Sequence, residues 1–429
     1  MKDGGRLAAA IEVLTEVENR HRPVQASLKD WGTSHRFAGS GDRTAIGNLV
    51  FDAMRKRASL AAVMKDTSPR AAVLATFALT WEKGLEALLE ALEQDRHAPE
   101  ALTTAEMVNL TETGAALAPW QQADIPEWLW PEFETLFGDD AVTEGRALAT
   151  RAPIDLRVNT LKADQDKVLK RIAHTGAVAT KLSPHGARIA AKPGAGRLPH
   201  VQAEEGYQKG WFELQDEASQ LAAAMALAAP GEQVLDYCAG GGGKTLALAA
   251  AMQNKGQLYA FDADRLRLAP IHERLKRAGV RNIQVRDPVS STLEDLKGQM
   301  NLVFIDAPCT GTGVWRRRPD SKWRLTEKAL SDRLEDQRTV LQRAREYVRP
   351  GGRLAYVTCS LLRQENQFQV DWFLGENDDF ELVSLSETWR EMFPTQPLPK
   401  YATSRGELLF TPASTDTDGF FVALLKRRS

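Results

Sequence analysis

From Pro230 onward, β-type runs alternate with helical stretches of ten or more residues, and no other feature limits the fold so strongly. The runs are Gln233 to Cys238, Gln257 to Asp262, Asn282 to Arg286, Asn301 to Asp306 and Gly352 to Cys359. A helix between two strands carries the chain back across a sheet, so successive strands pair in parallel. The expected product is an α/β domain with a doubly wound parallel sheet. Ligands and functional side chains of such sheets gather at the carboxyl ends of the strands. The residues that close each run are therefore the ones to read for chemistry.

The chain before Pro230 reads differently. From Arg6 to about Glu112 apolar residues recur at helical spacing, as in Leu7, Ile11, Leu14 and Val17, then Ile46, Leu49, Val50 and Met54, then Leu85, Leu88, Leu89 and Leu92. This spacing predicts a helical domain. Ser40-Gly41-Asp42 signals a helix start, and the basic run Arg55-Lys56-Arg57 falls near that helix's far end, where positive charge complements the helix dipole. That reading of the run, as a solvated face, is preferred over an RNA contact. Tryptophan and proline then crowd the segment from Pro119-Trp120 to Trp128-Leu-Trp130-Pro131 and mark a domain junction. Residues 151–210 combine short β-type runs, one helical stretch from Asp164 to Ala173 and a Pro/Gly-rich loop from Pro193 to Pro199, as a small α+β unit would. The expected domains are 1–118 (helical), 119–212 (α+β) and 213–429 (α/β).

Composition narrows the function classes. The 429 residues are 43% apolar and 26% charged, and 55 basic side chains face 57 acidic ones. A net charge of -2 excludes a uniformly basic nucleic-acid coat while leaving room for a local basic groove. No apolar run approaches 18 residues, and the N-terminus lacks a signal-peptide pattern, so a cytoplasmic protein without a membrane partner is expected. Cys238, Cys309 and Cys359 are the only cysteines, with no C-x-x-C pair. Free thiols and no metal site are expected.

The first run passes through Asp236-Tyr-Cys238-Ala239-Gly240-Gly241-Gly242-Gly243-Lys244-Thr245 into an apolar helix. Glycines at a strand-to-helix turn let a ligand approach the backbone, and the helix start offers unpaired N–H donors. A phosphate-binding Walker loop needs glycine where Cys238 stands, and a G-x-G-x-x-G reading from Gly240 fails at Thr245. The second run delivers Asp262, about twenty residues beyond the glycines and so placed to hold ribose hydroxyls of a nucleoside-bearing cofactor. Asp264 reads as a helix N-cap. The remaining runs end in Asp287, in Asp306-Ala-Pro-Cys309 and in Thr358-Cys359-Ser360. A buried cysteine is usually a small hydrophobe, yet all three close strands. Two thiols beside a nucleoside cofactor point to carbon alkylation of a pyrimidine. A thiolate added at C6 makes C5 nucleophilic toward a methyl group, provided the thiol has a lowered pKa or a nearby base.

These motifs, together with Arg317-Arg-Pro-Asp320, Leu156-Arg-Val-Asn159-Thr-Leu-Lys162, Gln215-Asp-Glu-Ala-Ser219 and Thr417-Asp418-Gly-Phe-Phe-Val-Ala423, resemble the Nop/Sun (RsmB-type) RNA cytosine-5 methyltransferases. The resemblance spans roughly residue 119 to the C-terminus. It implies a Rossmann-like class I methyltransferase sheet, S-adenosylmethionine as methyl donor and a cytosine in structured RNA as acceptor. Carried over by position, Cys359 is the nucleophile, Cys309 assists release of the methylated RNA, and Asp306 holds the target base. Cys238 to Lys244, Asp262, Asp287 and Asp306 take the cofactor positions. Where the family usually has proline, this chain has Gly241. The N-terminal helices, with Phe37-Ala-Gly-Ser-Gly-Asp42-Arg43, look like a NusB-like RNA-binding extension, which tilts the substrate toward 16S ribosomal RNA over transfer RNA; a monomer is expected. Between Val314 and Arg324, Arg316, Arg317, Arg318, Lys322 and Arg324 stand against Asp320 alone, flanked by Trp315 and Trp323. Such a stripe is expected to grip phosphates while an aromatic stacks on a base.

Overall fold

The computed structural model describes every residue except Thr113 and Ala115. Two compact units emerge: Met1–Ala152 with Ala191–Leu198 and Val314–Leu325, and Pro153–Ala190 with Pro199–Gly313 and Thr326–Ser429.

The first unit is helical. Its helices Asp3–Arg20, Ser40–Arg55, Pro69–Ala75 and Gly84–Glu93 close on Leu7, Leu14, Val17, Ile46, Leu49, Val50, Leu74 and Leu88, the faces that the apolar spacing marks. Residues 119–152, grouped by sequence with the α+β segment, belong to this unit as helices that include Trp130–Phe137 and Ala141–Leu148.

Two stretches remote in sequence are fastened into it. In the Pro/Gly-rich loop, the Gly194 carbonyl accepts from Asn48 Nδ2 at 2.9 Å and from Arg151 Nη2 at 2.7 Å. Arg151 in turn is paired to Asp52, which also accepts from Arg55 at 2.7 Å and from Trp81 Nε1 at 2.8 Å. The second stretch is 314–325, where the structure corrects the expectation of an open basic stripe. Arg316 is 3% exposed, Lys322 is 1% exposed and Trp315 is fully buried, its ring stacked 6.0 Å from Phe133. The reason lies at the end of the Ser40–Arg55 helix, whose last carbonyls have no partner within the helix. Lys322 Nζ donates to Arg55 O at 3.1 Å and Trp323 Nε1 to Met54 O at 2.6 Å, while the Arg55 guanidinium closes back on Arg316 O at 2.8 and 3.1 Å. Arg55, read from the sequence as part of a solvated face, is likewise buried. Arg318 and Arg324 remain exposed and Arg317 half-buried.

The second unit holds two sheets. Four short strands, β1 (Ile154–Val158), β2 (Val178–Ala179), β3 (Gly186–Ile189) and β4 (Phe212–Leu214), form an antiparallel sheet in the order β2-β3-β1-β4. The larger sheet contains β5 (Gln233–Asp236), β6 (Gln257–Ala260), β7 (Ile283–Val285), β8 (Met300–Asp306), β9 (Val348–Thr358), β10 (Phe380–Val383), β11 (Leu408–Phe410) and β12 (Phe420–Arg427). Its order is β10-β12-β9-β8-β5-β6-β7, with β11 paired to β12. The five predicted runs are the parallel strands β5 to β9. The sheet is not parallel throughout, because β12 runs antiparallel to β9, β10 and β11. Strand order reverses between β5 and β8, the point at which sheets of this kind bind their ligands at the carboxyl ends of the strands.

Burial pushes Lys322 down from its ordinary 10.5 to about 8. Between those values the unfolded chain carries a proton that the folded chain does not, so stability rises with pH across that window. Denaturant titrations at pH 8 and 10 are expected to show this rise in the wild type and a smaller one in Lys322→Met. Equal pH slopes in the two proteins would contradict the assignment.

Candidate active site

The site is built at the point where the strand order reverses. After β5 the backbone turns through Gly240 (φ 49) and Gly242 (φ 81), both left-handed, and Gly242 precedes the Gly243–Ala251 helix. A Cβ on Gly242 would sit 2.6 Å from Ile271 Cγ1, so both backbone and space demand glycine there. After β6, Asp262 is 4% exposed and accepts from Gly240 N at 2.9 Å and from Asp264 N at 2.8 Å. Asp264 caps the Arg265–Leu268 helix, as its position suggests.

Asp236 is buried, and burial pushes its carboxyl up to about 7. One of its oxygens accepts from Thr245 Oγ1 at 2.6 Å, and the other has no hydrogen-bond partner among the described residues. Lys244 Nζ donates to Asp306 Oδ2 at 2.7 Å and lies 4.9 Å above the Phe420 ring. Against the cost of burial, Asp306 and Cys359 hold this ammonium charged. Burial and the carboxylates of Asp262, Asp236 and Asp306 push the Cys238 thiol up, which makes it a wall of the crevice and a poor nucleophile.

Neighbouring β8 and β9 bring the other two thiols together. Asp306 pairs in register with Val357, and Cys309 Sγ lies 3.3 Å from Cys359 Sγ, both residues half-buried. The hydrogen bond to Cys359 and burial push Cys309 up.

Sequence reasoning missed the residue that ties the two cysteine loops together. Glu365 is fully buried and accepts from Thr310 N at 2.8 Å, Gln337 Nε2 at 3.0 Å and the hydroxyls of Thr310 and Ser360. Its backbone carbonyl takes the Tyr356 hydroxyl at 2.7 Å. The available signal was an acid close behind a strand-end thiol, in Leu362-Arg-Gln-Glu365-Asn366.

The crevice thus gathers Gly240 to Lys244, Asp262, Asp306, Cys309 and Cys359. Asp287, beyond β7 at the sheet edge, is exposed and makes backbone turn contacts to Val289 and Thr292. Arg316, Arg317, Arg318 and Lys322 belong to the other unit. A glycine turn that admits no side chain at Gly242, an orphaned buried carboxylate oxygen and an acid at the next strand end suit a nucleoside cofactor without phosphate. Together with the doubly wound sheet, they define a Rossmann-like methyltransferase.

Comparison with known proteins narrows the class. Residues 224–426 match the 16S rRNA methyltransferase RsmB/F family, and residues 125–193 match the RsmF/B-like ferredoxin-like domain. A probable ribosomal RNA small subunit methyltransferase B from Synechocystis is 32% identical over 313 residues, which cover 72% of this chain and 68% of that protein. The ribosomal RNA small subunit methyltransferase B of Erwinia tasmaniensis is 32% identical over 315 residues, covering 72% and 67%. The crystal structure of PH0851 superposes with a TM-score of 0.73 at 26% identity and covers 99% of both chains. A methyltransferase homologue from Pyrococcus horikoshii gives 0.60 at 26% identity over 72% of this chain and 97% of that one. The chain belongs to the RsmB/F family of S-adenosylmethionine-dependent RNA methyltransferases. The helices before residue 125 lie outside both matched stretches, and their likeness to NusB rests on sequence alone. Among the described residues no helix is long and apolar enough to cross a membrane.

Replacing Glu365 with alanine removes the acceptor of four donors, those of Gln337 and Ser360 buried, and each stranded buried donor costs about 1–3 kcal/mol. Glu365→Ala is expected to lower the melting temperature and to slow methyl transfer more than donor binding. A variant with wild-type melting and turnover would refute the role of Glu365.

Proposed function

We propose that this enzyme methylates C5 of a cytosine in 16S ribosomal RNA through a covalent bond between Cys359 and C6 of the base. The observation that carries the reading is the pair of thiols 3.3 Å apart on adjacent strands, beside the Lys244–Asp306 ion pair. Cys238 to Lys244, Asp262 and Asp306 hold S-adenosylmethionine, which supplies an electrophilic methyl group when bound. The Asp306 side chain, one-third exposed, also reaches the target base.

In this reading Cys359 attacks as the thiolate, the nucleophilic form of cysteine. Attack at C6 makes C5 an enamine-like carbon that takes the methyl group. The C5 proton must then leave before the C6–S bond breaks and restores the ring. Cys309, whose Sγ lies 3.3 Å from that of Cys359, assists this release. The target base leaves its stack to reach Cys359, at a cost of a few kcal/mol. With Arg316 and Lys322 buried, phosphate contacts in this region fall to Arg317, Arg318 and Arg324. The NusB-like helices add a second RNA surface. The enzyme acts as a cytoplasmic monomer.

A 5-fluorocytosine RNA traps the adduct, because fluorine at C5 cannot leave as a proton does. Wild type is expected to form a stable conjugate with ribosomal RNA fragments and Cys359→Ala none, while Cys309→Ala still forms one. Loss of the conjugate in Cys309→Ala with retention in Cys359→Ala would reverse the two roles.

A further inference from the structure

Four consecutive glycines form a weak platform for a ligand, because glycine loses more conformational freedom on ordering than any other residue. Something outside the Gly240–Gly243 turn must hold it. Gly240 N is taken by Asp262 at 2.9 Å, and Gly242 N closes on Ala239 O at 2.8 Å. The peptide between them is held from the neighbouring helices. Arg267, Ile271 and Arg274, spaced four and three apart, share one face, and all three lie against the turn: built Cβ atoms on Gly240, Gly242 and Gly241 would meet Arg267 at 3.6 Å, Ile271 at 2.6 Å and Arg274 at 3.4 Å.

Of these, Arg274 makes the directed contact. Its Nη1 donates to the Gly241 carbonyl at 2.6 Å. Its Nε and Nη2 donate to Glu213 Oε2 at 3.3 and 3.1 Å, while Arg277 Nη2 takes Glu213 Oε1 at 2.6 Å. Glu213 lies on β4 of the small sheet with its side chain 3% exposed. The Ile271–Ala278 helix is itself docked there, since Asn159 Nδ2 donates to Ala278 O at 2.8 Å and Lys162 Nζ to Arg277 O at 2.6 Å.

We propose that Arg274 is a positioning residue for the methyl donor: anchored by Glu213 of the small sheet, its guanidinium sets the Gly241 peptide and thereby the shape of the glycine turn. Where proline would stiffen the turn covalently, Gly241 leaves that task to a charged hydrogen bond. The small sheet, whose strands β1 to β3 fall in the stretch matched to a ferredoxin-like domain, therefore governs donor affinity through Glu213 of β4. This inference rests on the reading that the turn binds S-adenosylmethionine.

Calorimetry with S-adenosylhomocysteine tests it on the full chain. Arg274→Met keeps the stem and removes the donors, and is expected to weaken binding about tenfold or more, with the KM for S-adenosylmethionine rising and kcat and the KM for RNA unchanged. Arg274→Lys, which keeps one charged donor, is expected to recover part of the loss. Gly241→Ala added to Arg274→Met is expected to recover a further part, because alanine narrows the loop's conformations. Hydrogen exchange at the Gly241 to Lys244 amides without ligand should quicken in Arg274→Met, a readout independent of turnover. Unchanged affinity and exchange in Arg274→Met would overturn the proposal even if the variant melts earlier. A wild type that does not bind S-adenosylhomocysteine would instead remove the reading of the turn on which the proposal rests.

Discussion

Parallel pairing sends every strand of β5 to β9 toward the same rim, and everything this protein does at its site depends on that constraint. Because the strand order reverses between β5 and β8, the glycine turn after β5 and the Ala-Pro-Cys309 segment after β8 face one crevice. Because β9 lies beside β8 in register, Cys359 arrives beside Cys309 without any local sequence link between them. The chemistry is set by topology first and by side chains second.

Charge in this molecule works largely inside. Lys322, Arg55 and Arg151 are spent on helix-end carbonyls, on the Asp52 carboxylate and on loop carbonyls, which draws two segments remote in sequence into the helical unit. A buried cation costs several kcal/mol unless it is paired and hydrogen-bonded, and Arg55 and Arg151 share the Asp52 carboxylate. The same economy appears at the glycine turn, where a guanidinium shared between Glu213 and a backbone carbonyl supplies the stiffness that the glycines lack.

What could be read from the sequence follows from how local each signal is. The strands β5 to β9 were legible to within a few residues, since each is a short apolar run bounded by turn residues. The strand-end acids and thiols were legible because a parallel sheet fixes where such residues go. The antiparallel strands β10 to β12 were not, because the helices between them, Leu385–Met392 and Pro412–Thr415, are shorter than the ten-residue stretches used to recognise the alternation. The stripe from Arg316 to Arg324 misled for a physical reason: a cation that caps a distant helix and one that waits for phosphate look alike in sequence. Glu365 was illegible for a similar reason, since its importance lies in donors drawn from Thr310, Gln337 and Ser360, on three separate segments.

The central claim, that Cys359 attacks C6 of a 16S ribosomal RNA cytosine so that C5 takes a methyl group, is tested most directly by bisulfite sequencing of total RNA from cells lacking this protein. Those cells are compared with cells restored by wild type or by Cys359→Ala. The account predicts the loss of one 16S cytosine mark that only wild type restores. Restoration by Cys359→Ala, or no change in any ribosomal or transfer RNA mark, would contradict it.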